Sequence, residues 1–474
     1  MFLSRLRPRS ASARLRLLLS AAVFCSCPVA EGAAPRPAPL ERPKMSGALF
    51  VCDSSMDRVV RLVDVDGSGT IDPDGEGEVI VFYDDDSPGP DLSIPSGIVL
   101  GPNGKVFLLD GGTLDSVFVL ADQNADGDAN DVGEYQIFFD NSTLAPKLST
   151  PNALAFSSDG ALWIIDDGSR RGLILRLEDD NGDGDALDDG EWTVAYDSRE
   201  IGHGDIFLMD PEALAVGGDT RLYVADAARR AVFVFVDQNG DGDVMDSSEG
   251  SHFYTPAGTL PFEDPEGLAV GVDGELYATD EDTGLILRLV DRNGDGVASG
   301  TAEVVVFSDS QSHFAPRDTN DLLVSGAGEL IVLDGSRDQV FILADGDGDD
   351  AATRNEEVHA LIATGDRVLG TPSGLALAEG VRQASVRFRR GDVNADGVLN
   401  LTDPVFLLGF LFLGDEVPVC LDAADVNDDG VLAISDPVAL LGYLFLGDEQ
   451  PESPFEKSGL DPTEDALDCK AGAK

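Results

Sequence analysis

Short apolar runs, separated by polar turns, recur along the chain with a period of about 55 residues. The segments that begin at Pro151, Pro211 and Pro265 share one order of parts. An apolar run follows the proline, and a glycine-containing turn leads to a second run that ends in aspartate. A third run, an acidic loop and a fourth run complete the unit. Runs this short, bounded by turn residues and with no helical stretch between them, predict four β-strands per unit.

Four strands per unit are what one blade of a β-propeller requires. The aspartates that end the second runs mark six units, and they are Asp53, Asp110, Asp166, Asp226, Asp280 and Asp334. The first unit lacks its opening strand, while Pro372–Ala378 provides an unpaired strand at the other end. Pairing of that segment with the first unit would close the ring and remove its edges. The pattern therefore predicts an all-β, six-bladed propeller over residues 47–388.

Two segments of these units, Pro265–Ala269 and Tyr223–Asp226, resemble the repeats of NHL propellers. In that family a proline-Gly-Leu-Ala strand is followed by a glycine turn and a Tyr-Val-Ala-Asp-like strand. The resemblance covers about 340 residues and supports the propeller. The long acidic loop between the third and fourth strands is not part of the NHL pattern, so the function of that family does not transfer to this chain.

The acidic loops have the oxygen spacing of EF-hand loops. Calcium is a hard cation that takes six to eight oxygen ligands, and alternate residues place short polar side chains on one side of a curled loop. Glycine permits the sharp turn that such a loop needs. The predicted ligands of the first five loops are Asp64, Asp66, Ser68 and Thr70; Asp122, Asn124, Asp126 and Asp128; Asp179, Asn181, Asp183 and Asp185; Asp237, Asn239, Asp241 and Asp243; and Asp291, Asn293 and Asp295.

A glutamate stands twelve residues after the first aspartate of every loop, and these glutamates are Glu76, Glu134, Glu191, Glu249, Glu303 and Glu357. An EF-hand closes one residue earlier with its bidentate carboxylate. The offset predicts a calcium hairpin between strands, with the glutamate at the start of the fourth strand. In the sixth loop Asp345, Asp347 and Asp349 keep the alternation, but Asp350 replaces the glycine, and weak binding or none is expected there.

Turn formation by Asp, Asn and Gly is the alternative explanation for any single loop. Five loops with the same ligand pattern and a fixed glutamate favour bound Ca²⁺ over turn formation alone. Transition metals are disfavoured because no histidine or cysteine stands among the predicted ligands.

A different repeat begins at Gly391, after a short predicted linker, Arg387–Arg390. Its predicted ligands are Asp392, Asn394, Asp396, Asn400 and Asp403 with the backbone carbonyl of Val398, and in the second copy Asp425, Asn427, Asp429, Val431 and Asp436. Each loop leads through Asp-Pro into an apolar decamer, Val405–Gly414 or Val438–Gly447. These decamers predict helices that Asp403 and Asp436 would cap, with proline in the first turn.

This duplicated pattern closely resembles dockerin modules of type I and covers residues 391–470. The resemblance implies a small α-helical, calcium-binding domain that docks onto a cohesin-like or other extracellular protein. The positions that dockerins use to read cohesins hold Leu401-Thr402 and Ile434-Ser435, and the helices lack the basic residues common in dockerins. The alternative is a calcium-stabilised pair of loops that only covers the propeller.

The formal net charge of −56 excludes nucleic acid and anionic lipid as partners, since like charges repel. Residues 1–30 combine arginines with a short apolar run and predict a signal peptide, with a linker over 31–46. Lipidation of Cys25 or Cys27 is an alternative at this end. No later run is long enough to span a membrane. We therefore expect a secreted or cell-surface protein, in which Cys420 and Cys469 could form a disulfide.

No nucleophile motif is visible, and the aspartate that ends every second strand is expected to cap a turn. The residue after each strand-opening position should face the central channel. These residues are Ser96, Asn152, Glu212, Glu266, Asn320 and Ser373. Two glutamates and two asparagines at such positions are similar to gluconolactonase-like propellers, which hold a divalent ion in the channel. Capping of strand entries is the alternative role for these polar side chains.

Three functional classes follow from these patterns. The sequence favours an extracellular binding or scaffold protein over an enzyme, with a glycan or peptide in the channel and docking through the C-terminal module. A metal-dependent hydrolase or lyase with a divalent ion held by Glu212 and Glu266 is the alternative, and a purely structural surface protein is the third class.

Overall fold

The computed structural model describes residues 47–143, 147–168, 172–199, 206–218, 220–246, 248–256, 260–309, 317–346, 348, 351–352, 354, 357–362, 368–378, 388–395, 397–413, 418, 420–428, 432–447, 450–451 and 454–455. The predicted signal peptide and linker lie outside these residues. So do several residues of the predicted metal loops and one predicted disulfide partner, namely Asp347, Asp349, Asp350, Asp396, Asp429, Val431 and Cys469.

The described residues form six antiparallel sheets of four strands, and each sheet is one blade. Blade 1 contains β24 (Pro372–Ala378), β1 (Ala48–Asp53), β2 (Arg58–Val63) and β3 (Val79–Asp84), and blade 2 contains β4 (Pro95–Leu100), β5 (Val106–Asp110), β6 (Ser116–Leu120) and β7 (Tyr135–Phe139). Blade 3 contains β8 (Pro151–Phe156), β9 (Leu162–Asp166), β10 (Leu173–Leu177) and β11 (Trp192–Asp197), and blade 4 contains β12 (Pro211–Val216), β13 (Leu222–Asp226), β14 (Ala231–Phe235) and β15 (Gly250–Tyr254). Blade 5 contains β16 (Pro265–Val270), β17 (Leu276–Asp280), β18 (Leu285–Leu289) and β19 (Val304–Ser308), and blade 6 contains β20 (Thr319–Val324), β21 (Leu330–Asp334), β22 (Gln339–Leu343) and β23 (Val358–Ala360).

The ring closes as the sequence predicts, because β24 pairs with β1 and supplies the missing opening strand of blade 1. The register places Leu377 opposite Leu49 and Pro372 opposite Asp53. The first strands of the blades, β24, β4, β8, β12, β16 and β20, contact one another in turn around the central channel. We call the end of the channel at which these six inner strands begin the channel mouth.

Apolar side chains fill the seams between neighbouring blades, and each seam has its own buried cluster. Aromatic pairs recur in these clusters, with one ring near the start of a second strand and the other on a fourth strand. Phe107 with Phe138, and Tyr277 with Phe307, pack edge to face with ring centroids 5.1 and 5.2 Å apart. Burial of each such ring contributes on the order of 2 kcal/mol, so the seams carry much of the stability of the ring.

The aspartates that end the second strands cap turns, as predicted. The Asp110 carboxylate accepts hydrogen bonds from the N–H groups of Ser93 (2.6 Å) and Gly112 (3.1 Å). Asp53 plays the same part at the closure, where it accepts the N–H groups of Gly370 (2.6 Å) and Thr371 (3.0 Å). The repeated aspartate therefore ties the segment before an inner strand to the end of the neighbouring second strand, and its role is structural.

In the C-terminal part of the described chain there are three short α-helices, α1 (Thr402–Leu413), α2 (Leu421–Ala424) and α3 (Ser435–Leu441). A π-helical turn, Gly442–Leu446, continues α3. The predicted helices thus begin about three residues earlier than expected. Asp403 and Asp436 do not cap them, because these residues lie inside the first turn, and the N-cap position of α3 is Ile434, which makes no side-chain cap bond.

The predicted linker is not a linker at its end, because Arg390 is fully buried. Its guanidinium donates to the backbone carbonyls of Asp422 (3.0 Å) and Asp425 (2.6 Å) and forms an ion pair with Asp428 at 2.8 Å. These hydrogen bonds and the ion pair hold the backbone at the start of the second acidic loop around the guanidinium. Cys420 is disulfide-bonded. Within the described part of the chain, no helix has the length and apolar character needed to cross a membrane.

Candidate metal sites

The hairpin loops between third and fourth strands share one scheme of hydrogen bonds. One oxygen of the first aspartate accepts the N–H of the glycine at position six, at 2.9 to 3.0 Å. These pairs are Asp64 with Gly69, Asp122 with Gly127, Asp179 with Gly184, Asp237 with Gly242 and Asp291 with Gly296. The glycines have φ between +78° and +105°, a backbone region that favours glycine. The glycine at position six predicts this turn.

The closing glutamates are buried and point back into the loops. Glu134 is representative, since Oε1 accepts the N–H of Gln123 (2.9 Å) and Oε2 accepts that of Asp131 (3.2 Å). Glu191, Glu249 and Glu303 occupy the same position. In the first loop this position belongs to Glu78 and not to the predicted Glu76, which is exposed, because that loop is two residues longer.

The remaining predicted loop ligands are close in sequence and form local turns. Ser68 Oγ donates to the carbonyl of Thr70 at 3.0 Å. Asp128, Asp185 and Asp243 each accept the N–H of the residue two positions on. The side chains at positions three and five are also linked, in Asn124 with Asp126, Asn181 with Asp183 and Asn239 with Asp241. Asn293 accepts the N–H of Asp295. In the first loop, carboxylate oxygens of Asp64, Asp66 and Glu78 lie within 4.8 Å of one another.

Sequence reasoning missed one member of these loops, the aspartate at position ten. Asp131, Asp188 and Asp246 accept a hydrogen bond from the amide of the asparagine at position three, at 2.8 to 3.0 Å. The available signal in the sequence was an aspartate at position ten in three of the loops. Each of these loops therefore offers one more carboxylate than predicted.

The described loop residues near the helices follow the same scheme. Asp392 Oδ2 accepts the N–H of Gly397 at 3.0 Å, and Asp403 accepts those of Asn394 (3.4 Å) and Asn400 (2.8 Å). In the second copy, Asp436 accepts the N–H groups of Val426 (3.0 Å) and Ala433 (2.8 Å). The carbonyl of Val398 accepts from the Asn400 amide. Asp425 and Asn427 belong to the loop of the second copy, and Asp425 is fully buried. The aspartates predicted as helix caps thus turn back into their loops.

Two further groups of carboxylates lie at the channel mouth, and each offers three oxygens within 4.8 Å of one another. The first group consists of Asp167, Asp210 and Glu212, and the second of Asp264, Glu266 and Glu281. Asp210 and Asp264 precede inner strands, whereas Asp167 and Glu281 follow the ends of second strands. The topology therefore brings together residues that lie more than forty positions apart in the case of Asp167 and Asp210. Of these six residues, only Glu212 and Glu266 are predicted from the sequence.

Burial and neighbouring carboxylates give these glutamates unusual proton affinities. Burial, with Asp210 and Asp167 nearby, raises the pKa of Glu212 to about 8. Burial, with Glu212 and Glu281 nearby, raises the pKa of Glu266 to about 9. Burial and a hydrogen bond with Asp318 raise the pKa of Glu281 to about 7. Such shifts mark a place where added positive charge would be stabilised.

Three of the other four residues of the predicted ring form hydrogen bonds across seams between blades. Ser373 Oγ donates to the Pro95 carbonyl at 2.5 Å, and Ser96 Oγ to the Pro151 carbonyl at 2.9 Å. Asn152 Nδ2 donates to the Pro211 carbonyl at 3.1 Å and also to Glu212 Oε2 at 2.8 Å.

In blade 6, Asn320 accepts the N–H of Gly335 at 3.0 Å. The predicted alternative role, capping of strand entries, therefore applies to these four residues of the ring and not to the two glutamates.

Comparison with known proteins gives structural likeness only. No protein-family model matches the sequence, and the comparison with curated proteins gives no match. Among solved structures, the periplasmic gluconolactonase of Pseudomonas aeruginosa is similar at 17% identity, with a TM-score of 0.41 over 70% of this chain and 99% of that one. A gluconolactonase of Xanthomonas campestris has 18% identity and a TM-score of 0.40, over 62% and 84% of the two chains. A virginiamycin B lyase of Staphylococcus aureus has 13% identity and a TM-score of 0.40, over 68% and 86%. At these values the likeness assigns no activity to the chain.

The two channel glutamates predict a pH-dependent stability. Their pKa values in the folded protein lie above the unfolded value of 4.5, so the stability they contribute is complete below about pH 4.5 and is lost as the pH rises through 8 to 9. In chelator, the free energy of unfolding of the wild type should fall relative to that of E212Q/E266Q between pH 5 and 9, by at most about 9 kcal/mol since each pKa unit corresponds to about 1.4 kcal/mol. Urea unfolding at several pH values measures the difference, and parallel pH profiles would contradict the burial of ionisable groups.

The hairpin loops predict the number of calcium ions that the protein binds. Calorimetric titration of chelator-stripped protein with calcium should show about six to eight sites and a rise in melting temperature, because a ligand that binds only the folded state stabilises it. E134Q should remove one site, whereas E178Q should remove none, because Glu178 is a half-buried residue just before the third loop that pairs with Arg176. One or two sites, with no rise in melting temperature, would show that the loops are turns without metal.

Proposed function

We propose that the chain is an exported propeller that performs metal-assisted hydrolysis or elimination at its channel mouth. The observation that supports this most is that two of the six residues predicted to face the channel are glutamates. Blades 1 to 3 place serine or asparagine there to donate a hydrogen bond across a seam, whereas blades 4 and 5 place Glu212 and Glu266, each beside two other carboxylates. Replacement of a seam-closing donor by a partly buried acid costs stability, and a cost of this kind is typical of a functional site.

The donor set fits a hard divalent cation. Asp167, Asp210 and Glu212 together offer carboxylate oxygens from two neighbouring blades, and Asn152 holds the Glu212 carboxylate in place. All ligand atoms would be oxygen, which suits Ca²⁺, Mg²⁺ or Mn²⁺ better than softer metals. When bound, such an ion polarises a substrate oxygen and lowers the pKa of a coordinated water.

The second group of carboxylates would donate and accept protons in the reaction. Glu266 lies beside Glu212, and its raised pKa keeps the carboxyl protonated at neutral pH, so that it can give a proton to a leaving oxygen. Glu281, whose pKa is about 7, can exchange protons at the same pH. Three groups that differ in proton affinity, next to a cation site, suit hydrolysis of an ester or lactone, or elimination next to a carbonyl group.

Activity of E212Q tests this proposal. We expect the wild type with calcium or manganese to hydrolyse glucono-1,5-lactone or an aryl ester, or to eliminate a β-substituent from an activated substrate. E212Q should lower kcat/KM by roughly a hundredfold or more. E275Q is the matched control, since Glu275 is a buried carboxylate of blade 5 near Arg288 and away from both groups. Equal activity in E212Q and wild type would reject the channel mouth as the active site.

A second function, docking through the C-terminal repeats, is supported by paired exposed apolar residues. Positions 33 residues apart carry matching side chains, Leu401 with Ile434, Val405 with Val438 and Phe412 with Phe445. Phe412 and Phe445 are 62% and 63% exposed. Large apolar side chains exposed in two copies are typical of an interaction surface, and a cohesin-like extracellular protein is the partner we propose for them. Together with calcium-loaded loops, this describes the extracellular scaffold that the sequence favours.

Docking predicts a specific double variant. Because both copies present the same side chains, L401D/I434D should abolish binding to a panel of cohesin domains measured by calorimetry, whereas either single variant keeps one copy intact. V132D, at a propeller residue that is 83% exposed, is the control for added charge. Failure of the wild type to bind any cohesin would reject this partner.

A further inference from the structure

Every acidic hairpin loop is fastened to the blade before it. The residue at loop position eight is apolar and buried, and its N–H donates to a backbone carbonyl of the preceding outer strand at 2.7 to 2.9 Å. The six bonds are Ile71 to Leu361, Ala129 to Phe82, Ala186 to Phe138, Val244 to Ala195, Ala298 to Phe253 and Ala352 to Phe307. We call each of these bonds a clasp. Together they form a belt around the outside of the ring.

In five blades the accepting residue stands in a β-bulge. The ladder between β14 and β15 pairs Val232 with Tyr254 and then Phe233 with His252, which leaves Phe253 as the extra residue. Phe82, Phe138, Ala195 and Phe307 are extra residues in the same sense. A bulged residue does not pair within its own ladder, so its carbonyl is free to accept from the next blade. The clasp therefore depends on two features, a bulge and a loop.

The seam between blades 4 and 5 is the one at which the inner ring residue is Glu212. Ser96 and Asn152 donate side-chain hydrogen bonds across the two preceding seams, whereas Glu212 donates none across its own seam among the described residues. The same seam contains the buried Tyr254 hydroxyl, for which no hydrogen-bond partner lies among the described residues. A buried polar group left unsatisfied costs about 1–3 kcal/mol, which weakens this seam.

A continuous apolar cluster joins the clasp of this seam to the channel. The cluster contains Ala298 and Phe253 at the outer edge, Tyr223 and Leu276 in the middle, and Leu268 near the inner end. Ala213, next to Glu212, belongs to the same cluster. Packed interiors transmit displacements, because their side chains have few voids to absorb a shift.

We propose that the acidic loop Asp291–Glu303 acts as a conformational control of the channel mouth, because its Ala298 clasp holds together the seam that Glu212 and Glu266 flank. Release of the clasp lets blades 4 and 5 separate and changes the spacing of the two glutamates. The functional meaning of that spacing rests on the proposed activity, whereas the mechanical link does not.

Removal of one N–H tests the link. A298P deletes the clasp donor at this seam, and A186P deletes the equivalent donor between blades 2 and 3, where Ser96 still bonds to the Pro151 carbonyl. Hydrogen exchange followed by mass spectrometry should show roughly tenfold faster exchange in β12 and β16 of A298P. A186P should accelerate exchange in β7 and its own loop and leave β4 and β8 within about twofold of wild type. Unchanged protection of β12 and β16 in A298P would overturn the proposal.

A second measurement covers the case in which A298P does not fold. In wild-type protein, native-state exchange at increasing urea should show the Ala298 amide and the amides of β12 and β16 opening together, below the global transition. Opening of these amides only with global unfolding, or independently of one another, would overturn the link.

The activity assay separates this outcome from the proposed function. With an active wild type, A298P should lose activity at least tenfold more than A186P. If the wild type shows no activity while A298P still loosens β12 and β16, the proposed reaction fails and the coupling stands.

Discussion

Closure of the ring is the constraint on which the rest of this structure depends. A four-stranded blade has two apolar faces, and it can bury both only against two neighbours, so blades 1 and 6 are complete only when β24 has paired with β1. Every repeated polar feature of the propeller serves that closure. The terminal aspartates tie each inner strand to a second strand, the ring serines and Asn152 bond across seams near the channel, and the clasps bond across them at the outside.

Positions that depart from this repetition are better candidates for a functional site than positions that follow it. Glu212 and Glu266 stand where a neutral donor would stabilise a seam, and both are partly buried among other carboxylates. Nothing in propeller architecture requires acids at these two places, and their mutual repulsion opposes folding. A bound cation would remove that repulsion, which is why the channel mouth, and not the more numerous hairpin loops, is the better candidate for chemistry.

The sequence predicts the propeller well because its signals are local. Strand alternation, turn glycines and the repeated aspartate all lie within one unit, and the spare strand at Pro372–Ala378 reveals how the ring closes. Distant partners were harder to predict. Asp167, Asp210 and Glu281 belong to turns and carry no motif, so only the arrangement of blades shows that they join Glu212 and Glu266. Glu76 was predicted in place of Glu78 because the first loop is longer than the others, which shifts the position at which the fourth strand begins.

Anomalous diffraction from crystals grown with manganese would test the central claim most directly. The account predicts a peak at the channel mouth within coordination distance of Glu212 and of Asp167 or Asp210, in addition to any peaks in the hairpin loops, and its loss in E212Q crystals. Peaks confined to the hairpin loops, with the channel mouth empty of metal at neutral and alkaline pH, would contradict it.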